Sequence, residues 1–84
     1  MSYEKVTQAQ SRIVIGLKQT LKAMKNGEAS EVIVAKDADS YIIEQVIELA
    51  DELDIPYQYV DSKRKLGAAC GIDVGASTVA IKQL

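Results

Sequence analysis

Eighty-four residues bound one small domain, and the absence of His, with Cys70 as the lone cysteine, excludes the commonest acid–base side chain, an internal disulfide and a Cys-based metal cluster. The net charge of −2 hides a segregation: residues 1–27 carry five bases against Glu4, residues 28–61 carry Lys36 against ten acids, and residues 62–84 carry four bases against Asp73. Two cationic segments flanking an acidic one give a field with two poles, so the acidic balance does not exclude a polyanionic partner.

The opening stretch Tyr3–Ser11 is polar and predicts a short helix, followed by the apolar run Ile13-Val14-Ile15. Gly16 punctuates the chain. A helix is expected from Leu17 to Asn26, with Leu17, Leu21 and Met24 at i, i+4, i+7 as its buried stripe. Gly27 suits its end, and Lys22 and Lys25 sit near the negative end of its dipole. Within Glu31–Lys36, Val32-Ile33-Val34-Ala35 is the continuous apolar run of a strand covered on both faces. Asp37-Ala38-Asp39-Ser40 offers turn and N-cap residues to a helix over Tyr41–Leu53. That helix buries Ile43, Val46, Ile47 and Ala50 and exposes Glu44, Glu48, Asp51 and Glu52. Pro56 follows its end, and Tyr57–Val60 is a short strand. Ser62 caps a helix through Cys70 that Gly71 stops, and Thr78–Ile81 is the last strand.

This alternation with short connections implies a three-layer α/β/α sandwich with a mixed four-stranded sheet, one domain over residues 1–84. Phe and Trp are absent, so its core must be aliphatic and closely interdigitated. Cys70 reads as a small core residue, because no His is present to activate it as a nucleophile. No apolar run approaches a membrane span, and the start Met-Ser-Tyr-Glu-Lys lacks a secretory pattern. A soluble cytoplasmic protein without cofactor, metal or membrane partner is expected.

Two segments are candidates for a binding surface. In Gly16-Leu17-Lys18-Gln19-Thr20-Leu21-Lys22, Gly16 lets another molecule approach the backbone, and the helix start points N–H groups outward to seat a phosphate. Lys18, Lys22 and Lys25 form a cationic stripe, and Gln19 suits base-edge hydrogen bonds; the same spacing also fits an ordinary solvated face. In the second, the basic turn Lys63-Arg64-Lys65 leads into a small-residue helix and a Gly-bracketed loop, Gly71 to Gly75. Its Ile72 and Val74 either pack on an unstacked base or turn inward as core. Neither segment has the glycine spacing of a P-loop or a dinucleotide fingerprint. Asp37 and Asp39 fit turn and cap roles better than a metal or acid pair. Tyr57 and Tyr59 share one strand face, as in the stacking platforms of single-strand binders, but in a sandwich with both sheet faces covered they read as core or rim. The acidic helix 41–54 repels RNA, and as an alternative function it would serve a protein–protein adaptor with a basic partner. No converging set of acid–base groups suggests an enzyme.

Taken together, Ile15-Gly16-Leu17-Lys18-Gln19-Thr20-Leu21-Lys22, Val34-Ala35-Lys36-Asp37-Ala38-Asp39 and Ser62-Lys63-Arg64-Lys65-Leu66-Gly67-Ala68-Ala69-Cys70-Gly71 resemble the kink-turn-binding ribosomal proteins, in particular their small bacterial homologues. The resemblance covers nearly the whole chain. It implies a non-enzymatic protein that recognises a bent RNA helix–bulge–helix in ribosomal RNA or an mRNA leader, with the ribosome as a further partner. By that correspondence Gly16 allows close approach, Lys18 and Gln19 meet base edges, and Lys22 reaches guanine or phosphate. Asp39, Ile43 and Lys63 hold a bulged nucleotide, Lys36 joins the same RNA-binding set, and Ile72-Asp73-Val74-Gly75 covers the extruded base. Archaeal members place Asn-Glu at Lys18-Gln19. Without that acid, affinity should rest more on phosphates, with weaker discrimination among kink-turns. The family commonly has Pro where Gly75 lies, which implies a more mobile loop here.

Overall fold

The computed structural model describes residues 2–83, with the backbone alone for Ser2. Its elements in chain order are α1 (Ser2–Gln8), a 3-10 turn (Gln10–Arg12), β1 (Ile13–Ile15), α2 (Leu17–Lys25) and β2 (Ala29–Ala35), then α3 (Ser40–Leu53), β3 (Tyr57–Val60), α4 (Lys63–Ala69) and β4 (Thr78–Lys82). The four strands form one sheet in the order β1-β4-β2-β3. β4 runs antiparallel to both of its neighbours, while β2 and β3 are parallel, so the sheet is mixed.

The strand period of two divides the apolar residues between two helical layers. On β2, Val32 and Val34 face α2 and α3, where they join Ala23, Met24, Val46 and Ala50. Ile33 and Ala35 face the other way and pack with Val6 of α1, Leu66 of α4 and Cys70 at the end of that helix. All four of these β2 side chains are 0% exposed, which is why the run carries no polar alternation. The result is the expected α/β/α sandwich. Cys70 is one of the core residues on the α1/α4 side, and burial pushes its thiol pKa up.

Three local features depart from expectation. The opening helix does not run through to Ser11; it breaks at Ala9, which is buried against the core, so that the chain can turn into β1. β2 begins at Ala29, two residues before the expected Glu31, and ends at Ala35, with Glu31 inside it. That carboxylate is accommodated because Lys5 Nζ pairs with it at 3.1 Å and Gln58 Nε2 donates to it at 2.7 Å. The buried face of α2 centres on Thr20, Ala23 and Met24, whereas Leu17 and Leu21 are half-buried at its margin. Small side chains at positions 20 and 23 let α2 sit close to the sheet. Among the described residues no helix is long and apolar enough to cross a membrane.

Candidate nucleic-acid interface

Strand directions gather both candidate segments at one end of the sheet. The registers Ile15↔Val79, Val34↔Thr78 and Ala35↔Val60 place the C-terminal ends of β1, β2 and β3 beside the N-terminal end of β4. Each of those strand ends opens into a segment of interest: Gly16 and the start of α2, Lys36–Asp39, Asp61–Lys63, and the loop leading into β4. Backbone hydrogen bonds tie them together. Gly16 N–H donates to Thr78 O (3.0 Å), Ala35 N–H to Ser77 O (2.9 Å) and Lys36 N–H to Val60 O (2.8 Å).

The start of α2 is shaped by Gly16, whose φ of +102° with ψ of 160° is a backbone region essentially confined to glycine. No side chain caps this helix, so its first N–H groups point out of the sheet end with the positive end of the dipole. Gln19 folds back over the glycine: a Cβ added at Gly16 would lie 3.0 Å from Gln19 Oε1. Lys18, Lys22 and Lys25 are all exposed. The ion pairs of the described residues are Lys5–Glu31, Lys65–Asp61 and Lys82–Glu28. Among the described residues the α2 lysines therefore have no carboxylate partner and face solvent.

The loop Ile72–Gly75 is held against α4 by backbone. Ala76 N–H donates to Lys63 O (2.9 Å) and Ile72 N–H to Gly67 O (3.1 Å). Gly67 is fully packed: a Cβ there would fall 1.9 Å from Val74 O. Gly75 lies against the Lys63 side chain, with an added Cβ 3.3 Å from Lys63 Cγ. The two apolar loop residues then divide. Ile72 is half-buried and packs on the α1/α4 core with part of its side chain still at the surface. Val74 is 69% exposed, the apolar side chain that the loop holds out to solvent. Asp73 and Gly75 are exposed beside it.

The remaining candidates fall on the same end. Lys36 and Asp39 are exposed, and Lys63 sits at the start of α4. Asp39 occupies the N-cap position of α3 without a side-chain cap bond, and Ile43, one turn into α3, is half-buried in the α2/α3 layer. Asp37 does something no local pattern announces: its Oδ1 accepts the Lys63 N–H at 2.8 Å. The β2–α3 connection thereby caps α4, a helix 26 residues further on, together with Ser62 Oγ, which accepts the Lys65 N–H at 3.2 Å. Tyr3 was likewise unmarked. Its hydroxyl donates to Asp61 Oδ1 and accepts the Ser62 N–H at 3.1 Å, which ties α1 to the β3–α4 corner. That hydrogen bond holds the Asp61 carboxyl below the usual carboxylate range, while burial and then Asp61 push the Tyr3 phenol up. Among the described residues no group of three or more His, Cys, Asp or Glu is placed to hold a metal ion. The acids of α3 (Glu44, Glu48, Asp51 and Glu52) are exposed on the layer shared with α2.

A model of the ribosomal protein L7Ae/L30e/S12e/Gadd45 family matches residues 1–84. An RNA-binding protein of Geobacillus stearothermophilus, YbxF, is 62% identical over 81 residues, covering 96% of this chain and 98% of that protein. An RNA-binding protein of Caldanaerobacter subterraneus is 45% identical over 67 residues, covering 80% of this chain and 82% of its own length. Among solved structures, a 15.5 kD RNA-binding protein of Giardia lamblia superposes with a TM-score of 0.93 at 29% identity, covering 99% of this chain and 72% of that one.

Proposed function

The chain belongs to the ribosomal protein L7Ae/L30e/S12e/Gadd45 family, and from that premise we propose that it binds structured RNA and stabilises a kink-turn. Binding the kinked form better than the extended form shifts the RNA toward the kink without any catalytic step. The reading is carried by one observation. The uncapped, lysine-lined start of α2 and the exposed Val74 loop open from the same end of the sheet, the first tied to the start of β4 by the Gly16 N–H to Thr78 O bond and the second leading directly into that strand.

Each residue then has a physical role. Gly16 lets the RNA backbone approach the α2 N-terminus, where N–H groups and dipole favour a phosphate. Lys18 and Gln19 meet base edges in the opened groove, and Lys22, one turn on, neutralises a phosphate. Asp39, Ile43 and Lys63 border the place of the bulged nucleotide, with Lys36 beside them and Asp73, Val74 and Gly75 above. Val74 supplies the apolar contact for an unstacked base, and Ile72 supports the loop from beneath. Lysines without carboxylate partners release counterions on binding, so affinity should be strongly salt-dependent. We propose ribosomal RNA or an mRNA leader as the natural source of the kink, the ribosome as one assembly that presents it, and the cytoplasm as the compartment.

A titration of kink-turn RNA against an unkinked duplex at two salt concentrations tests this reading. Preference for the kinked RNA should survive at the higher salt; equal affinities there would remove kink recognition. Lys22→Ala should weaken binding to both RNAs and lower the salt slope by about one unit. An unchanged slope would take Lys22 off the phosphate.

The division of Ile72 and Val74 sets a second test. Val74→Asp should leave thermal stability unaltered and reduce affinity for kinked RNA far more than for duplex. Ile72→Asp buries a charge against the core, so its first effect should be a lowered melting temperature. Equal losses on both RNAs for Val74→Asp would count against base contact by the loop.

A further inference from the structure

Beside the end of the sheet where α2 and the Val74 loop open, a solvent-open groove of ≈ 590 Å³ runs along the outer side of β3, bordered by Tyr3, Lys36, Gln58, Tyr59, Asp61 and Lys65. β3 is the terminal strand of the sheet. Its outer side pairs with no strand of the described residues, leaving backbone donors and acceptors along the groove. Tyr59 is 44% exposed, and Tyr57 meets its ring edge-to-face with centroids 6.1 Å apart at 89°. That contact fixes an aromatic side chain at the surface instead of leaving it to swing. The cations are equally available. Lys36 is exposed and unpaired among the described residues, and Lys65 is held only by Asp61 at 3.7 Å, both side chains about two-thirds exposed. An exposed pair of that kind contributes little and yields readily to a phosphate. Among the described residues Asp61 is the one carboxylate lining the groove; its Oδ1 accepts from the Tyr3 hydroxyl and its Oδ2 faces Lys65.

The groove is continuous with that end of the sheet. Lys36 borders both, its N–H bonded to Val60 O, and the next residue, Asp37, caps α4. We propose that this groove takes an unpaired nucleotide of the same RNA, its base stacked on Tyr59 and its phosphates between Lys36 and Lys65. The proposal rests on the RNA-binding reading above and extends the footprint from the kink to a single-stranded flank. Base–aromatic stacking tolerates any base, so this site adds affinity without sequence preference.

The test uses kinked RNA and unkinked duplex, each blunt-ended or carrying a single-stranded uridine flank, titrated by fluorescence anisotropy. The flank should raise wild-type affinity for the kinked RNA about tenfold, the scale of one stacked base. Tyr59→Ala should erase that gain and leave blunt-RNA affinity and melting temperature unchanged, whereas Tyr59→Phe keeps the gain. Lys65→Gln should lower the salt slope by about one unit on flanked RNA only. A flank that brings no gain to the wild type, or the same gain to Tyr59→Ala, overturns the groove. The blunt arms read kink preference alone, so a failure of the earlier reading appears there and not in the flank comparison.

Discussion

Gly67→Ala is expected to lower the melting temperature by about 10 °C and to erase preference for a bulged RNA in the protein that remains folded. The methyl group would enter α4 where the Val74 carbonyl oxygen now sits, 1.9 Å from the new Cβ, with Val74 C and Gly75 Cα at 3.0 and 3.1 Å. All three obstacles are backbone atoms, so no side-chain rotation relieves the clash; α4 and the loop must part. Overpacking of this kind costs about 1–3 kcal/mol, and for a domain of this size each kcal/mol moves the midpoint by about 4–8 °C. The functional loss follows because the same loop carries Val74. Duplex binding through the α2 lysines should persist in the folded fraction. A variant with wild-type melting and wild-type discrimination would mean that the loop can be displaced without consequence, and that Val74 is not a reading residue.

The second large effect is expected at Gly16. Gly16→Ala should destabilise the fold by about 1–3 kcal/mol, because φ of +102° with ψ of 160° is reached by alanine only under strain. It should also weaken kinked-RNA binding by more than the stability loss explains. The new Cβ would stand 3.0 Å from Gln19 Oε1, so Gln19 has to leave the position in which it folds over the start of α2. Gln19→Ala separates the two effects: it should reproduce the binding loss with little change in melting temperature. Chemical denaturation and anisotropy titration on the two variants give both readouts. If Gly16→Ala binds kinked RNA as the wild type does once the folded fraction is matched, close backbone approach at this glycine is excluded.

Both predictions concern glycines, and they differ in how visible they were. Gly16 stands between an apolar run and a helical period, a position where sequence alone demands a sharp redirection. Gly67 lies inside a helix in the run Leu66-Gly67-Ala68-Ala69, where composition says only that something packs closely. Which atoms approach, and that they are the backbone of a loop seven residues away, depends on how that loop returns across α4.

By itself the sequence determined the architecture. The apolar run at 32–35 required a strand covered on both faces, and the periods of α2 and α3 required helices with one buried side. Their alternation then left a sandwich as the compact solution, because each element carries its own hydrophobic pattern in consecutive residues. The cationic stripe of α2 and the acidic face of α3 were legible for the same reason. Only the tertiary structure decided that Val74 faces solvent while Ile72 supports the core, that Asp37 caps α4, and that Tyr3 anchors the β3–α4 corner. It also decided the placement of Tyr59 at an open sheet edge. The Asp37 and Tyr3 bonds join partners 26 and 59 residues apart in the chain, brought together by strand order and register. A local pattern records which side of its own element a residue occupies, whereas contacts between elements depend on how the whole sheet closes.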